Sequence, residues 1–101
     1  SKYSEISKFP EVRRDLSLVL DASVTFEHIK ELALKTERKI LSDINVFDVY
    51  DGKHIESGKK SYSISFTLLD KEQTLTDQAI DSTMNKLMQV FEKELNTTIR
   101  K

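Results

Sequence analysis

Apolar and polar residues alternate with a period of two in two stretches of this chain. In the first, Leu16, Leu18 and Leu20 fall on one side and Asp15, Ser17 and Val19 on the other. In the second, Tyr62, Ile64, Phe66 and Leu68 oppose Ser61, Ser63, Ser65 and Thr67, the cleanest alternation in the sequence. Period two marks a strand with one wet face, so strands are predicted over residues 13–20 and 61–69. The run Ile44, Asn45, Val46, Phe47, Asp48, Val49, Tyr50 adds a third, residues 44–50. Between these the period lengthens. Phe26, Ile29, Ala33, Thr36 and Ile40 lie at helical spacing, with Leu32 widening the stripe, and predict a helix over residues 26–39. Thr25 stands at its N-cap, and Glu31 and Lys35 form a favourable pair one turn apart. Ile80, Met84, Leu87, Met88, Phe91 and Leu95 predict a second helix over residues 77–95. Thr76 caps it, Asp77 suits the positive end of its dipole, and Asn96 sits where a left-handed residue would end it. Residues 97–100 read as a short fourth strand at an edge.

The element order is β-α-β-β-α-β. It predicts an α+β fold, a ferredoxin-like sandwich in which a four-stranded antiparallel sheet carries both helices on one face through two right-handed crossovers. The other face stays open. Before the first strand, Pro10 biases Phe9 towards extended backbone, and residues 1–12 read as an extended lead-in. Residues 51–60 form a loop holding both glycines, Gly52 and Gly58. A hairpin closed symmetrically about it pairs Tyr50 with Ser61, Asp48 with Ser63 and Val46 with Ser65. The same register pairs Phe47 with Ile64 and Val49 with Tyr62, which keeps the apolar pairs on one face and the hydroxyl row on the other. Tyr50, Asp48, Ser61, Ser63, Ser65, Thr67, Asp15 and Ser17 are therefore expected on the open face.

Length and composition narrow the function. At 101 residues the chain reads as one domain, residues 1–101, and its opening Ser1 suggests a fragment of a larger chain. It contains no cysteine, so neither disulfides nor a thiolate metal site. No run approaches the ~20 apolar residues of a membrane span. Charged residues make up 33% but nearly cancel, to a net charge of −1, unlike a free-standing nucleic-acid binder. Catalysis finds no support. His28 and His54 lack ligand spacing, and there is no nucleophile elbow or glycine-rich phosphate loop. No catalytic residue, no metal ligand and no cofactor of its own is expected.

An open sheet with an aromatic at a strand end is a platform on which RNA bases stack. Tyr50 can stack, and the hydroxyls can bond base edges. Each feature also has a plainer reading. A Ser/Thr row is the wet side of many sheets, a Tyr at a strand end is often half-buried structure, and Arg13 and Arg14 can pair with Glu11 or Asp15. Lys59 and Lys60, beside Gly58, are a weak phosphate signal.

Four motifs in register then carry a family resemblance: Lys8-Phe9-Pro10 with Val12-Arg13-Arg14-Asp15-Leu16; Phe47-Asp48-Val49-Tyr50 with Gly52; Gly58-Lys59-Lys60-Ser61; and Thr74-Leu75-Thr76-Asp77. The chain resembles the ferredoxin-fold anticodon-binding domain at the C-terminus of the bacterial phenylalanyl-tRNA synthetase beta subunit. The resemblance implies a domain that grips the anticodon stem-loop of tRNA(Phe), not DNA and not a membrane. It implies a cytoplasmic parent ligase of two alpha and two beta subunits that uses ATP and magnesium, with the aminoacylation site elsewhere. Tyr50 resembles the position that stacks on an anticodon base and Ser61 one that bonds the anticodon. Lys60, Arg13, Arg14, Asp48 and Ser63 complete the expected RNA-binding set. Many relatives carry a basic residue where this chain has Ser65, and a Gly where it has Asn96. Weak binding of RNA by this chain alone is expected. Two other readings are a ferredoxin-like amino-acid sensor and an architectural module; the sensor usually has a glycine turn after its first strand, where this chain has Asp21, Ala22 and Ser23.

Overall fold

The computed structural model describes residues 9–100. Six elements follow in the expected order: β1 (Val12–Asp21), α1 (Phe26–Thr36), β2 (Leu41–Tyr50), β3 (Lys59–Leu68), α2 (Asp77–Leu95) and β4 (Thr98–Arg100). The strands form one sheet in the order β2-β3-β1-β4, with every neighbouring pair antiparallel. This is the ferredoxin-like α+β arrangement. The expected lead-in over residues 1–12 lies mostly outside the described residues, and Val12 already belongs to β1.

The core lies between the sheet and the two helices. Leu16, Leu18 and Leu20 of β1, Ile44 of β2, and Tyr62, Ile64, Phe66 and Leu68 of β3 are buried against Ile29 and Ala33 of α1 and Ile80, Met84, Leu87, Phe91 and Leu95 of α2. Phe66 and Phe91 meet ring to ring, centroids 6.1 Å apart and tilted by 33°. Burying each such side chain contributes about 1.5–3 kcal/mol, so period-two alternation in β1 and β3 is what decides the side on which the helices sit. Helix α2 matches its predicted bounds because both ends carry caps. Thr76 Oγ1 accepts from the N–H of Ala79, and Asn96 takes the left-handed conformation, φ 50°.

Helix α1 stops at Thr36, short of the expected Lys39, because Glu37 turns inward. Its backbone is extended, its N–H donates to the Ala33 carbonyl, and its side chain is buried. One carboxylate oxygen accepts from the N–H groups of Lys39 and Ile40, both at 3.2 Å. The other accepts from the Thr83 hydroxyl at 3.2 Å and pairs with Lys86 Nζ at 3.0 Å. Burial pushes the carboxyl pKa up, but the bonds from Lys86, Ile40 and Lys39 and the Lys86 charge outweigh this, and the pKa lies below its ordinary value. Strand β2 begins earlier than expected, with Leu41 opposite Leu68. Strand β3 also begins earlier, with Lys59 opposite Asp21 and ion-paired to it at 3.6 Å.

The hairpin register holds at its closed end and fails further in. Tyr50 faces Ser61, Val49 faces Tyr62 and Asp48 faces Ser63, as expected. A β-bulge then intervenes. Val46 faces Ile64 and Asn45 faces Ser65, so the expected pairs Val46–Ser65 and Phe47–Ile64 do not form. Phe47 is the extra residue. A second irregularity lies between Leu41 and Asp43.

A candidate nucleic-acid interface on the open sheet face

Residues directly opposite on neighbouring strands share a face, so the pairing lays out the uncovered side of the sheet in rows. Tyr50, Ser61, Val19 and Thr98 form one row, and Asp48, Ser63, Ser17 and Arg100 the next. Asn45, Ser65 and Asp15 follow, then Asp43, Thr67 and Arg13. Between the rows lie the helix-side positions, buried at Leu16, Leu18 and Leu20 of β1 and at Tyr62, Ile64 and Phe66 of β3. Within the second row Ser17 Oγ and Ser63 Oγ lie 3.3 Å apart, a hydroxyl–hydroxyl bond. Ser61, Ser63, Ser65 and Thr67 are half-buried between their neighbours, whereas Asp48 and Tyr50 are exposed.

Tyr50 ends β2 and is 41% exposed. Its phenol ring folds back over Gly52. A Cβ at Gly52 would collide with Tyr50 Oη, Cζ and Cε1, so only glycine leaves the ring room there. The ring is held at the rim of the hydroxyl rows with much of its surface in solvent.

The expected binding residues divide between the two faces. Tyr50, Ser61, Asp48, Ser63 and Arg13 share the open face. Arg14 and Lys60 do not. Arg14 pairs with Phe66, on the helix side; its Nη1 donates to the Arg13 carbonyl, and it borders a cleft of about 200 Å³ with Leu16, Asp81, Met84, Asn85 and Met88. Lys60 pairs with Leu20 and lays its ammonium 4.6 Å from the Tyr62 ring centroid. The alternation that puts Ser61 outward puts Lys60 inward and Lys59 outward.

Besides Asp43, Asn45 and Thr98, the open face carries Lys59, Arg100 and Phe47 outside the expected set. Lys59 and Arg100 were discoverable by parity, counting from Ser61 and from Ser17. Phe47 was hidden by the bulge, although a parity break gave it away: Ile44 and Val46 are apolar at the same parity as Asp48 and Tyr50. Phe47 is 53% exposed, and the Arg13 guanidinium carbon sits 5.3 Å from its ring centroid. Arg13 is itself held by Asp15, Nε to Oδ1 at 2.9 Å and Nη2 to Oδ2 at 3.4 Å.

The face is not basic. Arg13, Lys59 and Arg100 stand against Asp15, Asp21, Asp43 and Asp48. Among the described residues no group of three or more His, Asp or Glu could hold a metal ion, and no helix is long and apolar enough to cross a membrane. What the surface offers is rows of rings, hydroxyls and carboxylates, neighbours within a row about 4.8 Å apart from strand to strand, suited to stacking and edge hydrogen bonds more than to phosphate attraction.

The model of the ferredoxin-fold anticodon binding domain matches residues 7–100. The phenylalanine–tRNA ligase beta subunit of Bacteroides thetaiotaomicron is 53% identical over 98 residues, 97% of this chain and 12% of its own length. Those of Porphyromonas gingivalis and Bacillus subtilis are 44% and 36% identical, over 95% and 97% of this chain and again 12% of their own lengths. The chain thus spans 12% of the length of these relatives. A solved formyltetrahydrofolate deformylase from Pseudomonas putida aligns over 88% of this chain and 28% of its own, with a TM-score of 0.39 and 10% identity. By the match over nearly its whole length, the chain belongs to the ferredoxin-fold anticodon binding domain family.

Proposed function

We propose that this chain is the anticodon-binding domain of a phenylalanine–tRNA ligase beta subunit, a single domain of a larger chain, and that its open sheet face receives the anticodon stem-loop of tRNA(Phe). The observation that carries the reading is Tyr50, seated over Gly52 at the head of the hydroxyl rows on the uncovered face. Tyr50 stacks on an unpaired base. The Ser61 and Ser63 hydroxyls and the Asp48 carboxylate bond base edges, the carboxylate accepting from base N–H groups. Arg14 and Lys60, on the helix side, take no direct part. Charging of the tRNA with ATP and magnesium belongs to the parent enzyme, a cytoplasmic assembly of two alpha and two beta subunits. This domain contributes selection of the tRNA and no reacting group.

The test is a titration of the 101-residue chain with the anticodon stem-loop of tRNA(Phe), followed by NMR so that weak binding registers. Shifts are expected on β2 and β3 at Tyr50, Ser61 and Ser63. Tyr50→Ala is expected to cost about 1–3 kcal/mol of affinity, and Tyr50→Phe much less. Unchanged affinity in Tyr50→Ala would remove the stacking role, and shifts confined to the helices would remove the open face as the binding surface.

A further inference from the structure

Phe47 has no partner in the pairing of β2 with β3. The register passes from Val46 opposite Ile64 to Asp48 opposite Ser63 and steps over it. A bulge leaves its extra residue unpaired and re-aims the side chain. Here it carries an aromatic ring onto the open face, 53% exposed and outside the buried core. The ring is nonetheless held. Arg13 reaches over β3 and lays its guanidinium 5.3 Å from the ring centroid. Asp15 fixes that guanidinium through two hydrogen bonds, 2.9 and 3.4 Å long. Three side chains from two strands thus build a flat, charge-balanced shelf that the core does not require. Unpaired bases stack on aromatic faces and on guanidinium planes.

We propose that the Phe47–Arg13 shelf is a second base-stacking position, taking another unpaired nucleobase of the RNA loop that meets Tyr50; it rests on the RNA-binding reading of this face. Three residues of strand at ~3.3 Å each put Phe47 about 10 Å from Tyr50. Bases stacked in one strand are ~3.4 Å apart, so bases on the two rings are not stacked on one another. The loop is held splayed, one base at each ring. Asp15 acts as a positioning residue: it fixes the guanidinium plane and cancels its charge, so the shelf contributes stacking and adds little to salt dependence.

The chain contains no tryptophan, so Phe47→Trp installs a single fluorescent reporter in the shelf. Titrated with the anticodon stem-loop, it is expected to be quenched; a fully paired RNA duplex of equal charge is expected to leave it bright. Phe47→Ala and Phe47→Leu are expected to weaken stem-loop binding about 5- to 150-fold, with melting temperatures unchanged because the ring lies outside the core. Phe47→Tyr is expected to retain affinity. Wild-type affinity in Phe47→Ala, with binding lost in Tyr50→Ala, overturns the shelf and leaves the RNA reading standing. Full affinity in Phe47→Leu also overturns it, because an apolar bulk would then suffice. No binding of the stem-loop by the wild-type chain overturns both.

Discussion

Two side chains show how single residues set the behaviour of this domain. Glu37 is a carboxylate buried where α1, α2 and the entry to β2 meet, and it satisfies two backbone N–H groups, one hydroxyl and one ammonium. Glu37→Ala strands the buried donors, and the expected cost is about 1–3 kcal/mol by urea denaturation at neutral pH. Because its pKa is lower in the folded protein than in the unfolded chain, the unfolded chain takes up the proton first. The stabilisation is complete above the ordinary glutamate pKa and is lost as the pH falls below about 4. Glu37→Gln, which cannot ionise, should lack that part of the acid sensitivity; an unaltered pH profile would contradict the assignment. The second is Gly52, whose missing Cβ makes room for the Tyr50 ring. Gly52→Ala should displace the ring and lower stem-loop affinity nearly as much as Tyr50→Ala, with little change in melting temperature. A stem-loop titration and a thermal melt of the same sample decide this.

At the scale of elements, what could be read in advance followed burial. Strands β1 and β3 and helix α2 declared themselves because one face of each is apolar at nearly every turn of its period and polar caps mark the helix ends. Asn96 was legible because a helix end calls for a left-handed residue, and it adopts φ 50°. Asn96→Ala is expected to cost about 1 kcal/mol, while Asn96→Gly should be near neutral; equal stability of all three by chemical denaturation would show that the cap geometry is not decisive. Helix α1 was overrun because its amphipathic spacing persists to Ile40, whereas the capping carboxylate of Glu37 depends on α2, remote in sequence. Strand β2 was misaligned because a bulge changes parity midway. The same cause explains the divided candidate site. Tyr50, Ser61, Asp48 and Ser63 lie on the hairpin side of the bulge, where counting from the turn works. Phe47 lies at the bulge, and Lys60 and Arg14 enter the expected set through the family resemblance, whereas strand parity turns both to the helix side.

The whole molecule is nearly neutral, with net charge −1, and its open face repeats that balance. Each phosphate neutralised contributes about −0.7 to the slope of log K against log salt for single strands. Among the described residues, two of the three open-face cations, Arg13 and Lys59, are engaged by Asp15 and Asp21. The expected slope for stem-loop binding is therefore shallow, no steeper than about −2; a slope near −5 would place the main contact on some other surface. The sheet has a further consequence at its margins. Strand β4 pairs with β1 only at Ser17, Leu18 and Val19, so among the described residues the outer margin of β1 from Val12 to Leu16 faces no strand. Unpaired backbone of this kind invites a second copy to add itself and propagate into aggregates. The residues at that margin are Arg13, Arg14 and Asp15, and the opposite margin, β2, is interrupted by two irregularities. Charge on one side and broken pairing on the other keep copies apart. Arg14, outside the proposed RNA surface, thereby gains a role as a solubility guard: Arg14→Val should leave stem-loop affinity intact and raise self-association in sedimentation velocity runs at high concentration, and a variant that stays monomeric would refute it.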